Sequence, residues 1–548
     1  MKPKPIVAAL AFASLFFAIL LPPEAFPDGK MAVLLCSTFA FFVSVSEGRV
    51  DRRYIAGGLL ALALLVLHGL VVSVDPYRSI EFVTTLWTYY CLAGFFIYAG
   101  FDPILPLSAA MVALTVIVSS YGLYQYFWGF ETLSRFISYS GSNEIVKDPL
   151  LEIVKSHRVY STLALPGTLW GFLVMAIPFH AVLWRKNAVL RVVVTVSFAL
   201  LMATGFLTRS FGFLVGLLVM TVVWLFLHHR RVLWNRLSIV LFVLVASGGA
   251  FYSARRGVIA GANPVILRFA NWISAWSIFS MNPWGSGLNT FGIMYPRYML
   301  SGANETQYTH NTALQLTSEL GLFAVAAAIV LILLAVKKWP QIARIPIAER
   351  ECVLIALAVW TLHNLIDIDV YFASVGAVGA VLIGVFFRNS ETTTAPPNKG
   401  MMAAMAAVSL LVIGFSGLVL FSTELQNRAQ GEYDSLKLKE AVETLREARR
   451  LMPFDSSIYH NAGQIQLELS QRLRDPQYLA EAKESFTRAI ELSPNKVGPH
   501  VGLGLCLSAD HDVVGGLKEI RVAQYLYPDD TYAQNVVRMM EKNLPSTP

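Results

Sequence analysis

Long apolar runs separated by short polar connections follow one another from the N-terminus to Phe421, and there the pattern changes. A helix crosses a bilayer with roughly 17 to 25 apolar residues, so the runs predict about thirteen spans. They fall near residues 5–22, 31–46, 54–74, 81–99, 104–127, 162–184, 190–208, 210–227, 237–253, 311–336, 350–367, 371–388 and 402–423. From Ser422 onward apolar and charged positions mix as in soluble amphipathic helices. The expected fold class is all-α, a polytopic membrane helix bundle of about 12 to 13 spans over residues 1–423, followed by a soluble α-helical solenoid over 425–548.

Composition agrees with a bilayer as the main solvent. The 548 residues are 55% hydrophobic and only 14% charged, with a mean hydropathy of +0.55. The opening "MKPKPIVAALAFASLFFAILLPPEAF" has the Lys-flanked start of a signal peptide, but no convincing small-x-small cleavage site and many spans after it, so it reads as a retained anchor. The short loops "EGRVDRR", "RKNAVLR", "HHRRVLWNR" and "KKWPQIARIPIAER" are rich in Lys and Arg, whereas the intervening short connections hold at most one. Basic short loops face the cytoplasm. One orientation satisfies all four, with the N-terminus inside and residues 128–161, the turn at Arg209, residues 254–310, the turn at Asp367 and the C-terminal tail outside. The sequence pI of 9.1 then reflects topology, and nucleic-acid binding is not inferred. Cys36, Cys91 and Cys352 lie in apolar spans and Cys506 stands alone, a distribution without a disulfide framework or a Cys-x-x-Cys site.

The tail repeats. Pro453, Pro494 and Pro528 close similar phrases 41 and 34 residues apart, and the second interval is the tetratricopeptide period. Small residues recur at matched offsets: Ala448, Ala489 and Ala523; Ala441, Ala482 and Gly516; and, allowing for an insertion around "QRLRDPQ", Ala429, Gly463 and Gly504. The tail resembles tetratricopeptide repeats over 425–540, which implies stacked helix pairs and a face able to bind a protein partner. An irregular helical cap on the membrane domain is the alternative.

Phosphate-loop, HExxH zinc and GxSxG nucleophile motifs do not occur. The stretch "YTHNTALQLTSELG" instead places Asn311, Gln315 and Glu319 at i, i+4 and i+8, with Ser318 beside them, as a polar stripe on an apolar helix. Such a stripe cannot face lipid, and an intramembrane glutamate marks a functional or structural polar site. His310 sits at the helix mouth. The plainer reading is an interfacial histidine above a buried polar network. Arg158, Arg209 and Arg268 fall on the external side, where few basic residues are expected. Guanidinium forks hold phosphate oxygens well, so these arginines are candidates for pyrophosphate. Snorkelling to headgroups, or pairing with Glu144 or Glu152, is the other possibility. In "WTLHNLIDIDVYF", His363 and Asp367 share a helix face. Asp367-Ile-Asp369 also matches a metal-binding Asp-x-Asp, but side chains at i and i+2 of a helix diverge. Asp367 is better placed to orient a histidine or pair with an arginine. Gly212 and Gly216 suit close packing of spans.

These residues together resemble the O-antigen ligase and polymerase superfamily of bacterial envelope glycosyltransferases. The resemblance is carried by "HNTALQLTSELG", by Arg268, Trp272, Ala275, Pro283, Gly285 and Gly287 in order in "RFANWISAWSIFSMNPWGSG", and by "RVYSTLALPGTLWGFL", and it covers roughly residues 155–390. One departure is the turn Thr208-Arg209-Ser210-Phe211, where the family commonly has Ser-Arg followed by a small residue. The resemblance implies a multi-pass enzyme of the bacterial inner membrane, with an external tail. It would transfer a glycan from an undecaprenyl-pyrophosphate carrier to an acceptor by an inverting, metal-independent reaction without a cofactor. In that reading His310 and Glu319 are catalytic, and Arg158, Arg209 and Arg268 hold pyrophosphate. Asn311, Gln315, His363 and Asp367 support them. The acceptor is lipid A-core, a growing polymer or an exported protein, which separates ligase, polymerase and protein O-glycosyltransferase. A lipid-linked sugar transporter or flippase is the alternative of another class. It would place its polar residues near the midplane of two similar halves, whereas here they gather at one face. A non-catalytic anchor for the repeats would not need the polar stripe.

Overall fold

The computed structural model describes residues 5–23, 25–139, 154–228, 264–342, 347–388 and 396–542. The expected span at 237–253, most of the basic loop before it, and Glu144 and Glu152 lie outside the described residues. Among the described residues the regular elements are helices. The first nine are α1 (Pro5–Leu20), α2 (Pro27–Ser46), α3 (Arg52–Val71), α4 (Pro76–Ile97), α5 (Ile104–Tyr124), α6 (Phe130–Tyr139), α7 (Pro166–Trp184), α8 (Ala188–Leu207) and α9 (Phe211–His228). After them come α10 (Pro264–Met281), α11 (Phe291–Tyr298), α12 (Thr312–Leu320), α13 (Leu322–Ile342), α14 (Ile347–His363), α15 (Ala373–Phe386) and α16 (Lys399–Asp434). The tail adds α17 (Leu438–Leu451), α18 (Ser456–Leu473), α19 (Pro476–Leu492), α20 (Val497–Ala509), α21 (Val513–Leu526) and α22 (Thr531–Lys542).

Seven of the described helices are long and apolar enough to cross a membrane, namely α2, α3, α4, α5 with its extension, α7, α8 and α16; α1, α13, α14 and α15 contain apolar stretches shorter than that. One core joins α1, α4, α5, α7, α14 and α15, with Phe95, Phe172, Phe179 and Val375 fully buried. The outward stripe of α5 runs through Leu105 and Ile117 to Tyr121, Tyr124 and Trp128, all exposed. The last three rings stack in sequence, as in the aromatic belt at a bilayer interface.

The bundle has two distinct ends. At one, Arg388 pairs with Asp102 and Pro396 lies beside Gly48 of the "EGRVDRR" loop. At the other, Thr162 bonds the Ile19 carbonyl, Arg158 bonds that of Thr208, the Val74 amide bonds that of Ser286, and Thr312 bonds Asn364. Every candidate residue named from the sequence sits toward this second end.

Two expected boundaries shift. The span expected at 311–336 is broken at Gly321 into a nine-residue polar helix, α12, and an apolar helix, α13. Gly321 has φ +61°, and a Cβ there would lie 2.1 Å from the Pro283 carbonyl oxygen, so only glycine lets the two segments meet. The expected boundary between 423 and 425 falls inside α16, a single helix of 36 residues. At about 1.5 Å per residue it outruns a hydrocarbon layer of about 30 Å. Its last turns enter the tail, where Ala429 is buried with Leu438, Ala441 and Leu445. The tail then forms helical hairpins, α18 with α19 and α20 with α21. Ala441, Ala448, Ala482, Ala489 and Ala523 are fully buried in it.

Candidate functional site

The Asp367 carboxylate is the hub of the second end. α14 stops at His363, and the chain folds back so that the Ile366 and Asp367 amides both bond the His363 carbonyl. Asn364 fixes this turn by bonding Thr312 through side chain and backbone, which staples the start of α12 to it. His310 precedes α12 with φ +53°, and Asn311 caps that helix by accepting the Leu314 amide. The left-handed backbone turns the imidazole to Asp367, with Nδ1 3.3 Å from Oδ1. Arg268 on α10 reaches the other oxygen, Nη2 lying 3.9 Å from Oδ2. Behind them His363 Nε2 is 3.7 Å from Oδ2, and its Nδ1 pairs with Asp369. His363 and Asp369 side chains are each 1% exposed, whereas His310 is 29% and Arg268 35% exposed. The outward face therefore presents a histidine and an arginine on one carboxylate.

Burial alone would raise the Asp367 carboxyl, but His310, His363 and Arg268 hold it well below the usual carboxylate range. Burial raises Asp369, with the nearby Asp367 charge adding to it and His363 opposing. The two aspartates serve one imidazole from different sides. No group of three or more His, Cys, Asp or Glu side chains among the described residues is arranged to hold a metal ion.

Arg158 and Arg209 form a second group. The Val159 amide bonds the Leu207 carbonyl at 3.1 Å, Arg158 Nε bonds the Thr208 carbonyl at 3.0 Å and Arg209 Nη1 bonds the Ser156 carbonyl at 3.2 Å. Each arginine thus also locks the other's segment. A π-helical turn at Gln125–Gly129 aims Gln125 at the same stretch, where it accepts the Tyr160 and Ser161 amides. The chain then runs to Gly167, where a Cβ would lie 2.7 Å from Asp367 Oδ2. That segment links the two groups.

Glu319 sits apart from the open face. It is fully buried and accepts four hydrogen bonds, from the Asn289 and Phe291 amides, Tyr371 Oη and Gln315 Nε2. Gln315 Oε1 accepts the Thr309 amide at 3.0 Å, so the stripe Asn311, Gln315 and Glu319 braces the backbone around His310. The loop "NPWGSG" crosses the end of α12: the Ser286 and Gly287 amides bond the Ser318 and Glu319 carbonyls. Gly285 there has φ +91° and its absent Cβ would fall 2.2 Å from the Glu319 carbonyl oxygen.

Glu319→Ala would strand several donors in a dry site, at about 1–3 kcal/mol for each one left unpaired. We expect a markedly lower melting temperature in detergent for Glu319→Ala, and for Gly285→Ala through backbone strain. A melting temperature equal to that of the parent in either variant would show that the knot does not hold the loop.

Asn364, Tyr371, Thr309, Asn289 and Trp170, whose ring meets His363 edge-on at 3.9 Å, were not legible as site residues in the sequence. Asn364 and Tyr371 do lie in the "WTLHNLIDIDVYF" stretch, and that proximity was the available signal.

Residues 196–329 match a family model described as O-antigen ligase. The matched span contains Arg209, Arg268, His310 and Glu319, while Arg158, His363 and Asp367 lie outside it. No curated protein matches the chain. A solved structure of the first TPR of Spaghetti (RPAP3) bound to an HSP90 peptide is similar at 16% identity, over 22% of this chain and 91% of that one, with a TM-score of 0.20.

Proposed function

We propose, from the O-antigen ligase family domain at residues 196–329 and the general ligase- or polymerase-type glycan transfer it carries, that this multi-pass membrane protein moves a glycan from an undecaprenyl-pyrophosphate carrier to an acceptor hydroxyl. The observation that carries the reading is Asp367, which holds His310 on one oxygen and Arg268 on the other. The Nδ1 contact selects the tautomer with its lone pair on Nε2, ready to take a proton. The acceptor oxygen attacks the anomeric carbon, and its proton passes to His310. The bond from that carbon to the phosphate oxygen breaks, and the pyrophosphate leaves with the electron pair. Arg268 stabilises the developing charge, with Arg158 and Arg209 as further cations for the same anion. A single displacement inverts the anomeric centre.

In this reading Glu319 is a positioning residue rather than a group in contact with substrate, because its oxygens are already engaged. His363 and Asp369 form the buried support of Asp367. In this reading the basic loops at the opposite end face the cytoplasm, and the site and the tail lie on the periplasmic side of the inner membrane. The resemblance of the tail to tetratricopeptide repeats remains part of this proposal.

The test is transfer in detergent with purified protein, the lipid-pyrophosphate-linked glycan of the host, and no ATP. Candidate acceptors are lipid A-core, a second donor molecule and exported proteins. We expect transfer to be unchanged by EDTA, since three arginines take the role of a metal. Transfer abolished by EDTA and restored by a divalent cation would overturn the metal-free mechanism. Donor binding without transfer to any acceptor would favour a lipid-linked sugar transporter.

A further inference from the structure

Lys496 lies between α19 and α20, 186 residues past His310 in the chain, yet its ammonium is 3.1 Å from Asp75 Oδ2 at the foot of α4. The two side chains are 16% and 2% exposed, and Lys496 also donates to Ser456 Oγ at 2.5 Å. Asp75 caps α4 by accepting the Arg78 amide. Its neighbour Val74 donates to the Ser286 carbonyl at 2.9 Å, and Ser79 donates to the Leu288 carbonyl at 3.0 Å. From the same 286–291 segment the Asn289 and Phe291 amides bond the Glu319 carboxylate. Gln315 bonds Glu319 with its amide nitrogen and accepts the Thr309 amide with its oxygen. Thr309 precedes His310. A series of polar contacts therefore leads from the tail to the backbone beside the base.

The tail also grips the loop that approaches His310 from the other direction. Asn495 bonds Met294, Arg297 packs over the Tyr525 ring at 4.2 Å and Tyr527 donates to Glu305 at 2.6 Å. α11 packs on α21.

We propose that the C-terminal solenoid is a working part of the transfer site, and that Lys496 is a positioning residue which, through Asp75 and the 286–291 segment, holds His310 in register. This rests on the reading of His310 as the base. A buried ion pair that loses one partner leaves a charge uncompensated, and the loop beneath it must rearrange. A displacement of about 1 Å at a reacting group costs on the order of 100-fold in rate.

The experiment compares the full-length protein in detergent with Lys496→Met and Lys496→Arg, by amide hydrogen exchange and then by transfer kinetics. Lys496→Met is expected to speed exchange at least tenfold in 286–291 and 305–316, with α1 and α15 unchanged. It should also lower kcat about 10- to 100-fold at an unchanged donor KM; Lys496→Arg should restore both. Unaltered exchange in those two segments overturns the proposal whether or not the protein transfers glycan. Altered exchange in Lys496→Met, beside a parent that has no transferase activity, would support the coupling and sink the reading of His310 as a base. Should Lys496→Met fail to fold, Asp75→Asn removes the other charge of the pair and keeps an oxygen to cap α4. Faster exchange in 286–291 and 305–316 then supports the proposal, and unchanged exchange there overturns it.

Discussion

Arg268→Ala is expected to lower glycan transfer on the order of 1,000-fold, because in the proposed mechanism it removes the cation that meets charge as it develops on the leaving group. The guanidinium is about one-third exposed and 3.9 Å from Asp367, so in the free protein it is aimed but not consumed by a tight pair. Removing it also strips Asp367 of a counter-charge and loosens the hold on His310. Lysine is expected to recover little, since a point charge cannot reproduce a planar fork on two phosphate oxygens. The measurement is kcat and donor affinity for the alanine and lysine variants beside the parent. A lysine variant with parental kcat would reduce the role of Arg268 to general electrostatics. An alanine variant at parental rate would remove it from the site.

His310→Ala is expected to cost roughly 100- to 10,000-fold, the range of positioned base catalysis, and to leave donor binding intact. In the proposed mechanism the imidazole acts on the acceptor proton, so the loss should appear in kcat and not in donor KM. Asp367→Asn should imitate much of this loss, since an amide no longer enforces the tautomer with a free Nε2. The pH dependence has a definite sign. The folded Asp367 carboxyl is held well below its ordinary value, so its stabilising contribution is present above the unfolded value and disappears only as pH falls through the lower folded one. Between pH 5 and 8 it stays an anion, and any acid limb of kcat in that window belongs to another group. An acid limb in that window that Asp367→Asn abolishes, in a protein still active, would contradict this assignment. Equal rates for His310→Ala and the parent would remove His310 from the mechanism.

The arrangement also explains why two histidines and two aspartates occur so close together. Only His310 faces outward, while His363 and Asp369 are sealed beneath Asp367 and against Trp170. The buried pair holds the carboxylate, and the carboxylate holds His310. A site held in this way depends on the rigidity of its loops, which is the task of Glu319, Gly285 and Gly321.

Much of this was written in local sequence. Apolar length alone determined helices as the bilayer solution, because a spanning segment must satisfy its own backbone groups, and the recurrent small residues determined close helix hairpins in the tail. The i, i+4, i+8 spacing of Asn311, Gln315 and Glu319 likewise placed them on one face, and the basic loops sorted the two ends of the bundle. What the sequence could not determine were contacts between residues far apart in the chain. A continuous apolar pattern does not reveal that Gly321 breaks the helix, since the break depends on the Pro283 loop pressing against it. Nor does it reveal that Glu319 is engaged by four donors, that Asp367 serves Arg268 and His310 together, or that Lys496 reaches Asp75. Hydrophobic periodicity is a local property fixed by helix geometry and solvent, whereas the partner of a buried charge is fixed only when distant segments close around it.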